Sequence, residues 1–584
     1  MPGGLLYEQP SFIHLLVLGS FLYLVNVARI VADYLFYAGL VAEIALGTIY
    51  GSPLANILPL DWQPTFTAVG YFGLILVVFE GGLTTNLPVL LSNLPLSIVC
   101  ALTGIAAPIA LSFALLQAGF GYEPLEAFAA GAALSSTSLG TTLAALNSVT
   151  KHTTAISVSD PSLLDDLTTR SASDTDPATP TLPREKETLL QQSRIGTILI
   201  SAAIIDDVIG LVIASLIPAL ASVDSNVPND NHGNLAWTIV RPLLSSFLIA
   251  VIASFVSRFV LRPVFLYQGV GERWCAPTRE GKPWGASALS KESSGWGTSA
   301  HSDAVKLFIM VITLSGMAAI ANYTDTSVLY GAYIAGLILT YISQPSPGEG
   351  TGNAANELSF EQTFSRTIVP LQAYLFLPLF FASIGFAIPF LNLWHPTVIW
   401  RGLVYSVLMA LAKLAVGIPI LLYPVGLSFA HMAHKNLRRL VSQLGVKISG
   451  FLRTVIPRLI GRRRLHSKPL PPGPMDQADS EKVHSHADTP QHPPIHQEST
   501  LGQLTTSIPA SVFMGIAMVS RGEIGLLIAQ LARGTDSNGE KGLLGDEAFL
   551  VCIWAILLCT LVGPIGTGIV VRRWGPRVTS GLWA

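Results

Sequence analysis

The chain has 584 residues, of which 50% are hydrophobic and 12% are charged, and its formal net charge is −2. Soluble domains carry about 25% charged residues, so this composition excludes an ordinary soluble protein. The nearly balanced charge leaves no excess of basic residues for binding nucleic acid.

Apolar runs that are long enough to cross a lipid bilayer follow one another along the whole chain. A membrane-spanning helix needs about 20 residues. On this basis about thirteen spans are predicted, at 11–31, 36–52, 66–86, 94–118, 124–147, 195–220, 236–260, 304–322, 327–343, 371–390, 398–424, 508–532 and 546–571. The second span is the weakest, because Gly47 and Gly51 interrupt it. The pattern predicts an all-α membrane protein.

Basic residues occur mainly in alternate loops. They cluster between Lys435 and Lys468 and again after Arg572, whereas the loop 223–234 on the other side is acidic. Cytoplasmic loops of membrane proteins carry the excess of Lys and Arg. We therefore expect the N-terminus outside the cell or in a lumen and the C-terminus in the cytoplasm. The sequence leaves open whether the membrane is the plasma membrane or that of an organelle.

Long polar inserts in the predicted cytoplasmic loops divide the chain. Such compositions bury too little apolar surface to order themselves. The predicted division is helices 1–5 at 1–151, a low-complexity loop at 152–190, helices 6–7 at 191–265, a loop at 266–302, helices 8–11 at 303–427, a basic and then Pro/His-rich loop at 428–505, and helices 12–13 with a short tail at 506–584.

Three charged residues lie within long apolar runs. Asp206 and Asp207 occur in SAAIIDDVIGLVIASLIPAL, and Lys413 occurs in VYSVLMALAKLAVGIPILL. An aspartate in a membrane helix costs on the order of 3 kcal/mol on insertion scales. One reading is that Lys413 pairs with one aspartate only to hold helices together. That reading leaves the second carboxylate unexplained, because a bare carboxylate is costly to bury.

The two aspartates are neighbours on one predicted helix, so their side chains point about 100° apart. One of them can pair with Lys413 while the other faces a water-filled cavity. Desolvation and a like-charged neighbour favour the protonated form of a carboxylate. The second aspartate can then exchange its proton for a small cation, which is the chemistry of a proton-coupled cation carrier.

Two predicted spans are interrupted by small or polar residues. Span 124–147 contains GAALSSTSLGTTLAAL, and span 508–532 contains a Ser-Arg-Gly-Glu stretch. Interrupted segments of this kind indicate discontinuous helices at a transporter's binding site. They are the fifth and twelfth spans, while the aspartate span and the last span are the sixth and thirteenth, which is the spacing of an inverted repeat. Close helix packing through small residues explains the first interruption about equally well.

The motifs VAEIALGTIYGSPL, FEGGLTTNL, ALSSTSLG, AAIIDDVIGL and SRGEIG follow one another in this order. In this respect the chain resembles the sodium/proton exchangers of the cation:proton antiporter superfamily, in the monovalent cation:proton antiporter-2 branch that includes bacterial and fungal members. The resemblance implies thirteen helices in two parts, a dimerisation scaffold and a mobile core with two crossed discontinuous helices. It also implies a homodimer and an elevator-like alternating access.

The resemblance also assigns roles to individual residues. Asp207 matches the carboxylate that binds the proton and the transported Na⁺, and Asp206 matches the neighbour that pairs with Lys413. The positions that match the unwound stretches of the two broken helices are Thr137, Ser138, Arg521 and Glu523. Lys413 would also offset the partial negative charge of nearby helix C-termini.

The sequence hypothesis is therefore an electrogenic antiporter that exchanges Na⁺ or Li⁺ for H⁺ and serves pH and sodium homeostasis. A K⁺/H⁺ antiporter of the same fold is the nearest alternative. A cation channel or a non-transporting scaffold is a further one, although a channel needs a continuous polar pore and these charges concentrate at one level. No Ser/His/Asp set, zinc motif or phosphate loop is present, so we expect no enzyme activity and no cofactor.

Overall fold

The computed structural model describes residue 9 and residues 11–138, 193–224, 235–266, 299–344, 359–426, 500–534 and 542–583. Within these ranges the chain forms helices and no strands. The α-helices are α1 Phe12–Phe36, α2 Gly39–Tyr50, α3 Trp62–Thr84, α4 Leu87–Ser92, α5 Leu94–Ser112, α6 Pro124–Ala133, α7 Arg194–Asp224, α8 Leu235–Val256, α9 Arg262–Leu266, α10 Ser299–Tyr323, α11 Val328–Ser343, α12 Phe360–Thr367, α13 Val369–Leu371, α14 Leu377–Ala387, α15 Phe390–Leu393, α16 Pro396–Leu414, α17 Thr500–Ala517, α18 Glu523–Arg533 and α19 Asp546–Val578. Single π-helical turns lie at Phe113–Gln117, Ser257–Leu261 and Gln372–Phe376, and a 3₁₀ turn lies at Gly581–Trp583.

The helices confirm the prediction of an all-α membrane protein. Nine helices within the described ranges are long and apolar enough to cross a membrane, and three shorter apolar helices accompany them. Each predicted span overlaps a described helix, except that the second half of the fifth span, 139–147, lies outside the described residues. The number of membrane crossings and the inverted repeat stay predictions. The predicted inserts also lie almost entirely outside the described ranges.

The chain divides into two compact units, one made of residues 1–420 and 507–584 and the other of residues 421–506. The first unit contains every residue whose contacts are discussed below. Of the second unit, the structure describes residues 421–426 and 500–506, which are helical.

Helix α2 runs through Gly47, which the sequence had suggested would interrupt it. The backbone of Ala382 in α14 lies so close to Gly47 that a Cβ there would overlap it. Gly47 is therefore a point of close approach between two helices, and the absent side chain permits the contact instead of ending the helix.

Helix α7, which carries both aspartates, is continuous over its 31 residues. It packs against α5, α6 and α18, while α16, which carries Lys413, packs against α5 and α19. Helices α6 and α18 also pack against each other. This arrangement brings the interrupted segments and both charged helices into one region of the bundle.

Candidate functional site

Two non-helical stretches, called breaks below, meet at the centre of the site: the residues that follow the end of α6 and the residues between α17 and α18. Helix α6 ends at Ala133, where the Ser135 hydroxyl donates to the Ala132 carbonyl at 2.7 Å. A bond from a serine hydroxyl to a nearby backbone carbonyl competes with the backbone hydrogen bonds that would continue the helix. The second break separates α17 from α18, and Ser138 N donates to the Ser520 carbonyl at 3.0 Å across the two breaks.

Lys413 lies at a third local irregularity, because α16 ends at Leu414. Pro419 accounts for this end, since proline has no N–H and its ring clashes with the carbonyl four residues earlier, here that of Ala415. The helical turns resume from Gly417, whose carbonyl accepts from Ser511 Oγ at 2.7 Å. Lys413 is thereby placed at a helix C-terminus, which favours a positive charge.

The Lys413 ammonium is fully buried and has three acceptors. Its Nζ donates to Asp206 Oδ2 at 3.0 Å, to Thr137 Oγ1 at 2.9 Å and to the Ser135 carbonyl. These three bonds use all the donors that a lysine has. Asp206 is equally buried, and its Oδ2 also accepts from Thr137 Oγ1 at 2.6 Å. Lysine, threonine and aspartate therefore form one closed network.

Asp207 has a different environment from its neighbour. It is partly exposed, and its Oδ1 accepts from Ser136 Oγ at 3.2 Å. Among the described residues no Lys, Arg or His forms an ion pair with it. Asp206 therefore has a cationic partner in the described part of the chain, and Asp207 has none.

Arg521 supports the first helix break. Its guanidinium is fully buried, and Nη1 donates to the Ser136 carbonyl at 3.1 Å and more weakly to the Ser135 carbonyl at 3.5 Å. The Arg521 carbonyl in turn accepts from Thr560 Oγ1 at 3.0 Å, which ties the second break to α19. The positive charge of Arg521 thus lies on carbonyls that follow the C-terminus of α6, where the helix dipole is negative.

Glu523 is the first residue of α18, and its side chain is partly exposed. A negative charge is favoured in the first turn of a helix. Gly522 before it is extended, and a Cβ at this position would lie 2.8 Å from Ser138 Cβ. The glycine therefore allows the two breaks to approach each other.

The structure brings most of the predicted site residues together, with two differences in detail. Thr137 contacts Asp206 and Lys413 directly, whereas the contact to Asp207 comes from Ser136, which the sequence had not singled out. The bond from Ser138 across the breaks comes from its backbone N–H. Ser135 was also missed, and its contribution to the lysine site is a carbonyl. Both missed residues lie within the quoted run of hydroxyl residues, but a non-helical run has no periodicity that reveals which side chain faces which helix.

Two other acids within the predicted spans, the buried Glu43 and the partly exposed Glu80, have partners of their own. Glu43 Oε1 in α2 lies 3.7 Å from Arg29 Nε in α1, and Glu80 Oε2 accepts from Gln372 Nε2 at 2.6 Å. In the described ranges no group of three or more His, Cys, Asp or Glu side chains could hold a metal ion.

The chain is similar to several known proteins. The family profile described as "Sodium/hydrogen exchanger, transmembrane" matches residues 17–170. The high-affinity Na⁺/H⁺ antiporter NhaS3 of Synechocystis sp. is 23% identical over 222 residues, which are 36% of this chain and 40% of that protein. The chain therefore matches less than half the length of this curated relative. The solved sodium proton antiporter MjNhaP1 from Methanocaldococcus jannaschii at pH 8 aligns over 97% of this chain and 98% of its own, with 13% identity and a TM-score of 0.49.

Proposed function

We propose that the chain is a sodium/proton exchanger of the cation:proton antiporter superfamily and that it exchanges Na⁺ or Li⁺ for H⁺ across a membrane. The family match over residues 17–170 and the similarity to a Na⁺/H⁺ antiporter support this proposal. One observation carries the proposal. Asp206 is neutralised by Lys413, whereas neighbouring Asp207 is partly exposed and has no cationic partner among the described residues.

The exchange rests on competition at Asp207. An isolated carboxylate in a poorly hydrated site must be neutralised, and either a proton or a sodium ion can do this. Hard cations are bound by oxygen atoms, and Ser136 Oγ beside Asp207 supplies one more. Binding of Na⁺ releases the proton from Asp207, and binding of a proton releases Na⁺. If Asp207 faces each side of the membrane in turn, the movement of Na⁺ in one direction is coupled to the movement of H⁺ in the other.

The closed network of Asp206, Thr137 and Lys413 holds the site in shape and adds a second charge to the cycle. If the Lys413–Asp206 pair opens during transport, Lys413 can release a proton of its own. Transport would then move more charge as H⁺ than as Na⁺, which makes the exchange electrogenic. Ser138 and Arg521 hold the unwound stretches through their backbone and carbonyl contacts, and Glu523 adds negative charge at the start of α18.

We extend the proposal to assembly and orientation. The protein works as a homodimer in which α7 and the broken helices move against a fixed scaffold. Its N-terminus faces the outside or a lumen and its C-terminus faces the cytoplasm, as the basic loops predict. Its role is the homeostasis of pH and sodium.

Exchange in proteoliposomes tests the central claim. Vesicles are loaded with a pH-sensitive dye and given an interior that is more acidic than the external buffer, and Na⁺ is then added outside. We expect Na⁺ to dissipate the gradient with the wild-type protein and not with Asp207→Asn. Asp61→Asn is the matched control, because Asp61 is exposed and makes no side-chain cap bond at the start of α3.

The same vesicles separate the alternatives. If Asp207→Asn still dissipates the gradient, the assignment of Asp207 is wrong. A response to K⁺ that exceeds the responses to Na⁺ and Li⁺ would identify a K⁺/H⁺ antiporter. A Na⁺ current that flows without any coupled movement of protons would identify a channel.

A further inference from the structure

A cavity of about 390 Å³, which neither Asp206 nor Asp207 lines, lies between the first turns of α3, the last turns of α14 and the last turns of α18. Its floor is formed by buried side chains, including Phe380, Ile384 and Leu527. Its mouth is lined by exposed residues, including Leu60 at 59% and Tyr71 at 37% exposure. The cavity is therefore a pocket with an apolar interior that opens at the protein surface.

No charged residue lines this cavity, so it offers no carboxylate to the transported cation. Most of its polar groups already have backbone partners. Ser383 Oγ donates to the Phe380 carbonyl at 2.7 Å, Thr67 Oγ1 to the Gln63 carbonyl at 2.9 Å and Gln63 Nε2 to the Leu58 carbonyl at 3.2 Å.

Gln530 at the end of α18 is different. Its carboxamide nitrogen is shielded from solvent and makes no hydrogen bond within the described part of the chain. A buried donor without an acceptor costs free energy and calls for an explanation. The last torsion of a glutamine side chain is soft, so a small rotation can turn this nitrogen towards an acceptor inside the cavity.

We propose that the cavity binds a small, neutral, mostly apolar molecule that carries one hydrogen-bond acceptor, and that this acceptor meets the Gln530 carboxamide. The volume lies within the range of ligand pockets, roughly 300–1,000 Å³. At about 30 Å³ per water molecule it equals roughly 13 waters, so the occupant has on the order of a dozen non-hydrogen atoms. A medium-chain primary amide has this size. Its carbonyl oxygen can accept from Gln530 Nε2, and one of its N–H groups can donate to Gln530 Oε1 in return.

The position of the cavity gives the occupant a consequence for transport. Ala387 at the end of α14 lines the cavity, and its carbonyl accepts from Arg533 of α18. An occupant would touch α3, α14 and α18 together and restrain α18, whose first turn adjoins the break beside Asp207. This consequence rests on the proposed function, and we expect occupation to slow exchange.

Binding of radiolabelled decanamide to the purified protein in lipid nanodiscs tests the site. We expect saturable binding, and about tenfold weaker binding to Gln530→Leu, which keeps the size of the side chain and removes the donor. Thr67→Trp should abolish binding, since it fills the mouth from an exposed position and leaves the interior packing unchanged. Thr65→Trp is the matched control, because Thr65 is exposed on the same helix and does not line the cavity.

The charged homologues decanoate and decylammonium should bind at least tenfold more weakly than decanamide. Equal binding to all four proteins would show partition into lipid and overturn the proposal, as would equal affinity for the charged homologues. Exchange is measured separately in proteoliposomes. Saturable binding without slower exchange would support the binding site and contradict its effect on transport. A wild-type protein that shows no exchange at all would overturn the proposed function and leave the binding site untouched.

Discussion

Lys413 Nζ lies 3.0 Å from Asp206 Oδ2, and both side chains have no solvent exposure. A charge pair buried to this extent gains little over an apolar pair, but removal of one partner leaves the other charge without compensation. Asp206 also accepts from Thr137, so the pair is part of a network between α7, α16 and the break after α6. The network predicts a large effect on stability for any variant that breaks it on one side.

Lys413→Gln should lower the free energy of unfolding by about 3–5 kcal/mol, because it leaves the Asp206 carboxylate buried and unpaired. Thermal unfolding in detergent measures this loss. The double variant Lys413→Gln with Asp206→Asn should recover much of the stability, since no charge is then left unpaired. The charge moved per cycle, measured as current from proteoliposomes on a solid-supported membrane, should fall in Lys413→Gln. An unchanged melting temperature and an unchanged current would show that Lys413 contributes neither to stability nor to the charge that is moved.

Ser136→Ala should weaken Na⁺ binding about two- to twelvefold, if the lost oxygen contact contributes as much as a single hydrogen bond, roughly 0.5–1.5 kcal/mol. Ser136 Oγ is the group that contacts Asp207, at 3.2 Å. Ser135→Ala is the control. Within the described part of the chain the Ser135 hydroxyl bonds in its own turn, to the Ala132 carbonyl, while the Ser135 carbonyl accepts from Lys413. Isothermal titration of Na⁺ into the three proteins measures the effect. Equal weakening in both variants would point to a general disturbance of the break.

Competition at Asp207 predicts how Na⁺ binding depends on pH. A group that must lose a proton before it binds a metal releases that proton on binding. We expect the dissociation constant for Na⁺ to rise with proton concentration, by up to about tenfold per pH unit once the site is mostly protonated. Titrations in buffers with different ionisation enthalpies should give up to one proton released per Na⁺. Asp207→Asn should abolish the signal, and pH-independent binding in the wild-type protein would contradict the single-site exchange.

The sequence could predict the lysine, the two aspartates and the order of the helices, because charge inside long apolar runs is rare and costly. It also predicted that the neighbouring aspartates face different ways, since the pitch of a helix requires this. It could not separate the roles of Ser135, Ser136 and Thr137, because the chain leaves the helix there and its periodicity ends. The cavity at Gln530 depends on residues of α3, α14 and α18, which are far apart in the chain and which no local pattern brings together.

Gly522→Ala should disrupt the meeting of the two breaks, because the added Cβ would lie 2.8 Å from Ser138 Cβ, closer than real contacts allow. We expect loss of exchange together with a lower melting temperature. Gly316→Ala in α10 is the control, since a Cβ there has nothing within 4 Å and alanine favours helix over glycine by about 1 kcal/mol. Exchange by Gly522→Ala at the wild-type rate would show that the breaks do not need this close approach.

Substitutions of Trp583 should lower the stability of the protein by an amount that depends on how much of the side chain is removed. It is 1% exposed, and its indole N–H donates to Ser507 Oγ in α17 at 3.1 Å, while Arg194 at the start of α7 donates to the neighbouring Leu582 carbonyl at 3.3 Å. Trp583→Phe keeps most of the buried ring and loses one hydrogen bond, so it should cost about 1 kcal/mol. Trp583→Ala also leaves a large cavity and should cost about 3–5 kcal/mol. The melting temperatures should therefore fall in the order wild type, Trp583→Phe and Trp583→Ala, and equal values for all three would show that the buried indole does not stabilise the ends of α7 and α17.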